Sequence, residues 1–428
     1  MSAAVLIRLR PLGPWRYGSG EGGKDRVDKI FRSDRLYSAI TLAMRQFGYL
    51  EDWLEATARA SAPQVAFSSL FPYQAETLLA APPRTLWPPP PNLVTSPSPG
   101  FLSKIRWSAA QFVPVTVIDS LLTGRPILAE QWTPDPESAC LLRRDRPSTS
   151  PFRVVMRSRA TVDRLTQTSA YVESFACVEF ESTSGLWCVA RFADSNAASE
   201  WRDKLKAAFR LLADTGFGGG RTIGWGQTAA PEFQDGEWPS LLLPRTGKTR
   251  RNGAGNGDSA SYWFLSLYSP APSDEPDWSA GDYELITRGG HARKTTRMIA
   301  EGSVLLASRE PSGKALDVAP DGHAHPIYRS GFALALRLPE VTEEDIKPVE
   351  EPTDEEAPEA KPCLAPSPES EPAPAAPDAP TPESLDVQPE LAPDAPTPDP
   401  EQPQQNPDRE GGEVSTPEPA PPEEPNDL

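Results

Sequence analysis

The last 88 residues of the chain limit where a fold can form. From Val341 onward the sequence contains 25 acidic residues, 3 basic residues, 23 of the 51 prolines and no aromatic residue. The heptapeptide Ala-Pro-Asp-Ala-Pro-Thr-Pro occurs twice in this part, at 376–382 and at 392–398. A segment of this composition cannot bury enough apolar surface to offset its conformational entropy. We therefore expect a disordered acidic, proline-rich tail at 341–428 and a fold within residues 1–340.

The net charge of the chain without this tail has the opposite sign. The whole chain has a net charge of −18, but residues 1–340 hold 39 basic and 35 acidic residues, a net of about +4. A weakly basic body is compatible with a nucleic-acid partner. No run of 18 apolar residues predicts a membrane helix, and the strand-like N-terminus is too short for a signal peptide. Four cysteines without a Cys-x-x-Cys pair predict a reduced, cytoplasmic protein with no metal and no cofactor.

Hydrophobic periodicity predicts an interleaved set of helices and strands. Helices are expected after an N-cap at Ser33 up to Gly48, over 50–60, and over 199–214. Strands are expected at 3–10, 153–159, 174–181, 186–192, 227–233, 262–268, 283–287, 303–307 and 331–338, with 174–181 and 186–192 paired across a turn. This order predicts an α+β fold of two ferredoxin-like (RRM-like) domains with insertions. Their expected bounds are 1–240 and 262–340, joined by a flexible basic linker at 241–261.

A glycine-rich loop follows the helix at 199–214. Residues 216–226 read Gly-Phe-Gly-Gly-Gly-Arg-Thr-Ile-Gly-Trp-Gly, with Gly216 at the position of a helix C-cap. Glycines let a backbone turn through positive φ and bring N–H groups close to a phosphate, and Arg221 and Thr222 add a charge and a hydroxyl. The loop follows a helix and has no Gly-Lys-Ser/Thr, so it is neither a dinucleotide fingerprint nor a P-loop. A tightly turned connector is the alternative interpretation.

Several segments in this order resemble one family. They are Arg32–Ile40, Arg157–Thr166, Asp214–Gly226, Arg288-Gly289-Gly290 and Glu301–Val304. Together they are similar to the fourth subunit of the Csm complex, the type III-A CRISPR effector, in the RAMP superfamily, over most of residues 1–340. The chain has Arg32 where that family commonly has a histidine, and Gly220 is an additional glycine before Arg221.

The resemblance implies a non-catalytic, cytoplasmic RNA-binding protein in a hetero-oligomer. Its implied partners are the 5′ handle of CRISPR RNA, the large polymerase/cyclase-like subunit and a backbone subunit, with no membrane. RNA that is bound through its backbone needs arginines, backbone N–H groups and a surface for base stacking, for which Trp225 or Phe217 is a candidate unless it belongs to the core. The candidate RNA-binding residues are Arg32, Ser33, Arg157, Arg159, Arg164, Gly216, Gly218, Gly219, Gly220, Arg221, Thr222, Gly224, His291, Arg293 and Lys294.

Three other functions stay open at this point. A metal-independent endoribonuclease would need a histidine as general acid or base, and the chain has only His291, His323 and His325. A scaffold protein would use the glycine loop to contact protein instead of RNA. The equivalent subunit of the type III-B complex is a close relative that these motifs do not separate.

Overall fold

The computed structural model describes residues 2–18, 23–95, 107–145, 149–246, 259–289 and 293–339. The predicted tail and most of the predicted linker therefore lie outside the described residues. The helices in the described residues are α1 (Ser33–Gln46), α2 (Leu50–Ala56), α3 (Val115–Leu122) and α4 (Ser195–Thr215). The strands up to residue 143 are β1 (Ser2–Leu9), β2 (Val65–Phe67), β3 (Phe71–Gln74), β4 (Thr77–Ala80), β5 (Val94–Thr95), β6 (Val113–Pro114), β7 (Ile127–Leu128), β8 (Trp132–Pro134) and β9 (Leu141–Arg143).

The later strands fall into two groups. Those before residue 240 are β10 (Phe152–Val162), β11 (Ser169–Phe180), β12 (Ser184–Phe192) and β13 (Glu232–Trp238). Those after residue 259 are β14 (Ala260–Phe264), β15 (Asp277–Asp282), β16 (Leu285–Arg288), β17 (Thr296–Ile299), β18 (Val304–Ala307), β19 (Gly313–Asp317), β20 (Tyr328–Phe332) and β21 (Ala335–Arg337). No helix of the described part is long and apolar enough to span a bilayer.

The N-terminal part is built on a seven-stranded sheet. Its order is β13-β1-β12-β3-β4-β6, with β2 also paired to β12, and the pairs are antiparallel. Helices α1 and α4 pack on each other and bury their apolar stripes. The buried stripe of α4 is the predicted one, consisting of Trp201, Leu205, Ala208, Phe209 and Leu212. Burying a side chain of this size contributes about 1.5–3 kcal/mol, so the periodic face fixes each helix against the rest of the core.

Two predicted details of this part are wrong. Strand β12 does not pair with β11. It lies between β1 and the strands β2 and β3, while β11 pairs with β10. The run Leu186–Ala190 is completely buried, as expected for a strand that has partners on both sides inside the core. Helix α1 begins at Ser33, not after it, because the Ser33 hydroxyl accepts a hydrogen bond from the Leu267 N–H at 3.0 Å instead of capping the helix.

In the described residues of the C-terminal part, 259–289 and 293–339, every regular element is a strand. A four-stranded sheet has the order β15-β18-β14-β21, and two hairpins, β16–β17 and β19–β20, accompany it. The predicted strands at 262–268, 303–307 and 331–338 fall on β14, β18 and β20–β21 with shorter bounds. The α+β class is confirmed, and the division into two domains stays a prediction.

The two parts share one hydrophobic core. Trp263 on β14 is fully buried and its indole N–H donates to the Ala81 carbonyl at 3.1 Å. The Ser69 N–H donates to the Leu265 carbonyl at 2.8 Å. Leu334 and Phe332 also belong to the cluster that contains β1 and α1. The described residues therefore lie in a single compact unit.

Candidate nucleic-acid interface

The glycine loop, residues 216–226, has a defined backbone path. Gly216 is the C-cap of α4, as predicted, with φ of 87° and an N–H that donates to the Leu212 carbonyl at 2.8 Å. Gly226 also has positive φ, and a Cβ atom at this position would lie 2.0 Å from the Phe217 carbonyl oxygen. Only glycine fits such an approach of two backbone segments. The loop is therefore built around close backbone contacts.

The segment at 14–17 holds this loop in place. The Gly219 N–H donates to the Arg16 carbonyl at 2.7 Å, and the Gly226 N–H donates to the Pro14 carbonyl at 2.9 Å. Phe217 is completely buried and stacks on Trp15 with ring centroids 5.2 Å apart. Phe217 is thus a core residue, and the hypothesis that it stacks on a base is wrong.

The tip of the loop presents unpaired polar groups to solvent. Arg221 and Thr222 are exposed, and within the described residues the Arg221 guanidinium has no ion pair and the Thr222 hydroxyl has no hydrogen-bond partner. The N–H groups of Gly220, Arg221 and Thr222 likewise have no acceptor in this part of the chain. Trp225 is partly exposed and covers Gly220, where a Cβ atom would lie 2.9 Å from the indole ring. A rigid loop with free N–H groups and a free guanidinium is suited to an anion such as a phosphodiester.

The hairpin β10–β11 carries a second group of arginines on one face. Arg153, Arg157 and Arg159 alternate along β10 and are exposed. Arg153 and Arg157 pair with Glu179, the former at 3.3 Å, and Arg159 pairs with Glu173 at 3.3 Å. The arginine side chains are 51–59% exposed, so solvent screens these pairs and the guanidinium groups are accessible to a phosphate.

An aromatic ring connects this hairpin to the glycine loop. The charged groups of Arg16, Lys24 and Arg159 lie 5.2, 5.6 and 5.7 Å from the centroid of Phe175 on β11. Hydrogen bonds from Lys24 and then Tyr171 lower the pKa of Glu173 to about 2. Because the Arg16 carbonyl also accepts the Gly219 N–H, Arg16 contacts both the glycine loop and the hairpin. Sequence reasoning did not identify Arg16 or Lys24, although Arg16 alternates with the apolar Trp15 and Tyr17.

Ser33 is buried, and the Arg32 side chain is 15% exposed. Arg32 donates to Asp28 at 3.0 Å and to Glu301, whose side chain is 1% exposed. The Ser33 N–H donates to the Ser69 hydroxyl at 2.9 Å. Next to them, Asp34 accepts two hydrogen bonds from Arg288, at 3.0 and 3.1 Å. Their hydrogen-bonding groups are occupied within the fold, so we do not include Arg32 and Ser33 in the interface.

The remaining candidates are dispersed over the surface. Arg164 is exposed in the turn of the β10–β11 hairpin. Lys294 pairs with Asp321 at 2.8 Å, and Arg293 is exposed beside it. His291 lies outside the described residues, as do Gly290 and Ala292. His323 and His325 are exposed, with ring centroids 4.6 Å apart, and no group of three His, Cys, Asp or Glu side chains in the described part is arranged to bind a metal.

A comparison with protein families identifies the C-terminal part. Residues 257–338 match the family model of the CRISPR Csm4 C-terminal domain. The chain carries a Csm4 C-terminal domain. The resemblance recognised from the sequence is thereby confirmed. This Csm4 domain contributes Arg288, Arg293 and Lys294, whereas the glycine loop and the β10–β11 hairpin precede it.

One solved structure shares the fold over most of the chain. A chain in the crystal structure of the Csm3–Csm4 subcomplex of the type III-A CRISPR-Cas interference complex is 14% identical, with a TM-score of 0.51. The similarity covers 78% of this chain and 99% of that chain. A chain in the Csm1–Csm4 cassette in complex with pppApA is 17% identical over 79% of this chain and 100% of that chain, with a TM-score of 0.48. No curated protein matches the sequence.

Proposed function

We propose that this chain is the non-catalytic RNA-binding subunit of a type III-A CRISPR effector. It binds the 5′ handle of CRISPR RNA and docks on the large polymerase-like subunit and on a backbone subunit. The glycine loop carries this proposal, because it presents Arg221, Thr222 and three unpaired N–H groups on a rigid support. The Csm4 domain and the fold shared with a chain of a Csm3–Csm4 subcomplex support the assignment to this complex.

The proposed RNA path runs from the glycine loop to the arginine face of the hairpin. Both ends offer guanidinium groups, which match the geometry of phosphate oxygens. Between them, Arg16 supplies a backbone contact to the loop and a charge beside Phe175. A single-stranded RNA bound in this way is recognised through its backbone, and its affinity falls steeply with salt as counterions are released.

We also propose that the central part of the first sheet is a ferredoxin-like unit. The elements β1, α1, β2, β12, α4 and β13 follow the order strand-helix-strand-strand-helix-strand, and their strands lie in the order β13-β1-β12-β2. The glycine loop connects the second helix of this unit to its last strand. This placement explains why the loop begins with a helix C-cap.

The test of the RNA-binding role is the substitution Arg221→Ala. We expect affinity for single-stranded 5′-handle RNA to fall by about 1–3 kcal/mol, since one charged phosphate contact is lost. Arg125→Ala is the matched control, because Arg125 is an exposed arginine outside the proposed path. Equal affinity of wild type and Arg221→Ala over a salt titration would contradict the proposal.

The non-catalytic role is tested separately. Labelled repeat RNA incubated with the purified protein should remain intact. Cleavage that disappears in His291→Ala would instead establish an endoribonuclease.

A further inference from the structure

A cluster of charged side chains lies where the N-terminus of α1 meets the hairpin β16–β17. Its members are the arginines 32, 35, 288, 293 and 329 and the carboxylates of Asp28, Asp34 and Glu301. Arg293 directly precedes Lys294, whose carbonyl accepts a hydrogen bond from Arg329 at 3.5 Å. Counted over the residues that the structure describes, the cluster therefore has two more positive than negative charges. An excess of charge in a partly buried cluster is unfavourable unless an additional anion compensates it.

The carboxylates of the cluster are committed to three of the arginines. Asp28 and Glu301 bind Arg32. Asp34 binds Arg288 at 3.0 Å and lies 3.8 Å from Arg329. Arg329 in addition donates to the Arg288 carbonyl and to the Thr296 hydroxyl at 2.7 Å. These three guanidinium groups are fixed within the protein.

Arg35 and Arg293 are the two arginines left over. Neither side chain has a hydrogen bond or an ion pair within the described residues, although Arg35 is partly buried. The Arg35 guanidinium lies beside the backbone of Gly18, where a Cβ atom would be 3.8 Å from its Nη2 atom. Burial, followed by the nearby charges of Arg288 and Arg293, lowers the pKa of Arg35. The nearby charges of Asp34 and Asp28 raise the pKa and offset this effect only in part, so the described residues do not fully compensate the positive charge of Arg35.

We propose that Arg35 and Arg293 bind a phosphate group of the RNA handle, at a site separate from the glycine loop. Two guanidinium groups provide the planar donors that fit the oxygens of a phosphodiester. The bound phosphate supplies the negative charge that the cluster lacks. Asp34 acts as a positioning residue, because it holds Arg288 and keeps the neighbouring charges in a fixed arrangement.

This inference rests on the proposed function, and it predicts a defined change in RNA binding. In Arg35→Gln, affinity for single-stranded handle RNA should fall by about 5-fold to 50-fold, and the slope of log affinity against log salt should decrease by about 0.7, the value for one phosphate contact. Arg45→Gln is the control, because Arg45 is exposed on the same helix, α1, about 15 Å further along its axis. It should leave both quantities unchanged.

Two further measurements separate this site from its alternatives. The exposed Arg293→Gln should show the same loss, which guards against a folding defect in Arg35→Gln. Inorganic phosphate should raise the unfolding temperature of the wild type above that in chloride of equal ionic strength, and should do so less in Arg35→Gln. This difference supports the site whatever the source of the phosphate.

The outcomes distinguish the inference from the proposed function. If the wild type binds handle RNA and both glutamine variants bind it equally well with the same salt slope, the phosphate site is overturned while the RNA-binding role stands. If the wild type does not bind handle RNA at all, the proposed function fails. Phosphate stabilisation that is equal in wild type and Arg35→Gln also overturns the site.

Discussion

Three alanine substitutions in the glycine loop should have very different effects on stability. Gly226 and Gly224 have positive φ, of 80° and 81°, whereas Gly219 does not. A Cβ atom would lie 2.0 Å from the Phe217 carbonyl at Gly226, 3.8 Å from Gln227 at Gly224, and 3.4 Å from the Arg16 carbonyl at Gly219. An alanine would therefore meet both backbone strain and a steric clash at Gly226, backbone strain alone at Gly224, and neither of them at Gly219.

The expected losses follow from these two terms. The left-handed conformation costs an alanine about 1–2 kcal/mol, so Gly224→Ala should lower the free energy of unfolding by that amount. Gly226→Ala should lower it by about 2–4 kcal/mol, because the loop must in addition move away from Phe217 and break the hydrogen bond between the Phe217 N–H and the Gly226 carbonyl, 3.0 Å long. Gly219→Ala should lie within about 1 kcal/mol of the wild type, because the reduced entropy of the unfolded chain favours alanine at a compatible position.

Urea unfolding followed by tryptophan fluorescence measures all three variants under the same conditions. Gly219→Ala is the internal control for the mere addition of a methyl group to the loop. Equal losses in the three variants, or a largest loss at Gly219, would refute the reasoning and show that the loop is a flexible connector.

Three other predictions concern buried and remote charges. Asp34→Asn should lower the free energy of unfolding by about 3–5 kcal/mol in a urea titration, because it leaves Arg288 buried without its carboxylate. The control is Glu51→Gln, in an exposed pair with Arg59, which should cost less than about 1 kcal/mol in the same titration. Burial opposes the ionisation of Asp274, but three backbone N–H groups and the Ser312 hydroxyl outweigh it and keep its pKa below the usual value. The stability that Asp274 contributes is therefore present above about pH 4 and is lost as the pH falls through its lowered pKa. Urea titrations of Asp274→Asn should differ from the wild type at pH 7, and the difference should shrink as the pH is lowered below about 4. Removal of residues 341–428 deletes a net charge of −22 and should raise the affinity for unrelated single-stranded RNA at low salt. This increase should vanish near ~0.5 M salt, where charges are screened. Unchanged affinity at low salt would show that the tail does not repel RNA.

Local sequence patterns were sufficient to predict individual helices and their ends, but not which distant residues pack against them. The stripe of α4 and the C-cap at Gly216 follow from spacing alone, because each depends on residues within a few turns of one helix. Phe217 could not be distinguished from an exposed aromatic residue, since its burial depends on Trp15, which lies about 200 residues earlier in the chain. Arg32 is bound by Glu301, 269 residues away. A local sequence pattern does not show which distant carboxylate an arginine will bind.

The bounds of the strands in the C-terminal part also depend on contacts with distant segments. Strands β14, β18 and β21 of its four-stranded sheet were predicted, with bounds that differ from the observed ones, whereas β15 was not predicted. Of the run predicted at 262–268, only residues 262–264 belong to a strand, β14, which begins earlier, at Ala260. Leu265 and Leu267 leave the strand because their backbone groups bond to Ser69 and Ser33. Hydrogen bonds to distant segments can therefore end a strand at residues whose composition alone predicts that the strand continues.

The hydrogen bonds of Leu265 and Leu267 to the first seventy residues also make the Csm4 domain dependent on the rest of the chain. A fragment limited to residues 257–338 would expose Trp263 and leave these donors and acceptors to water. A gene cut within 247–258, by contrast, would keep both members of each strand pair of the described sheets and hairpins in the same piece. We expect the two pieces to be insoluble when produced singly and to reassemble into one cooperative unit when produced together.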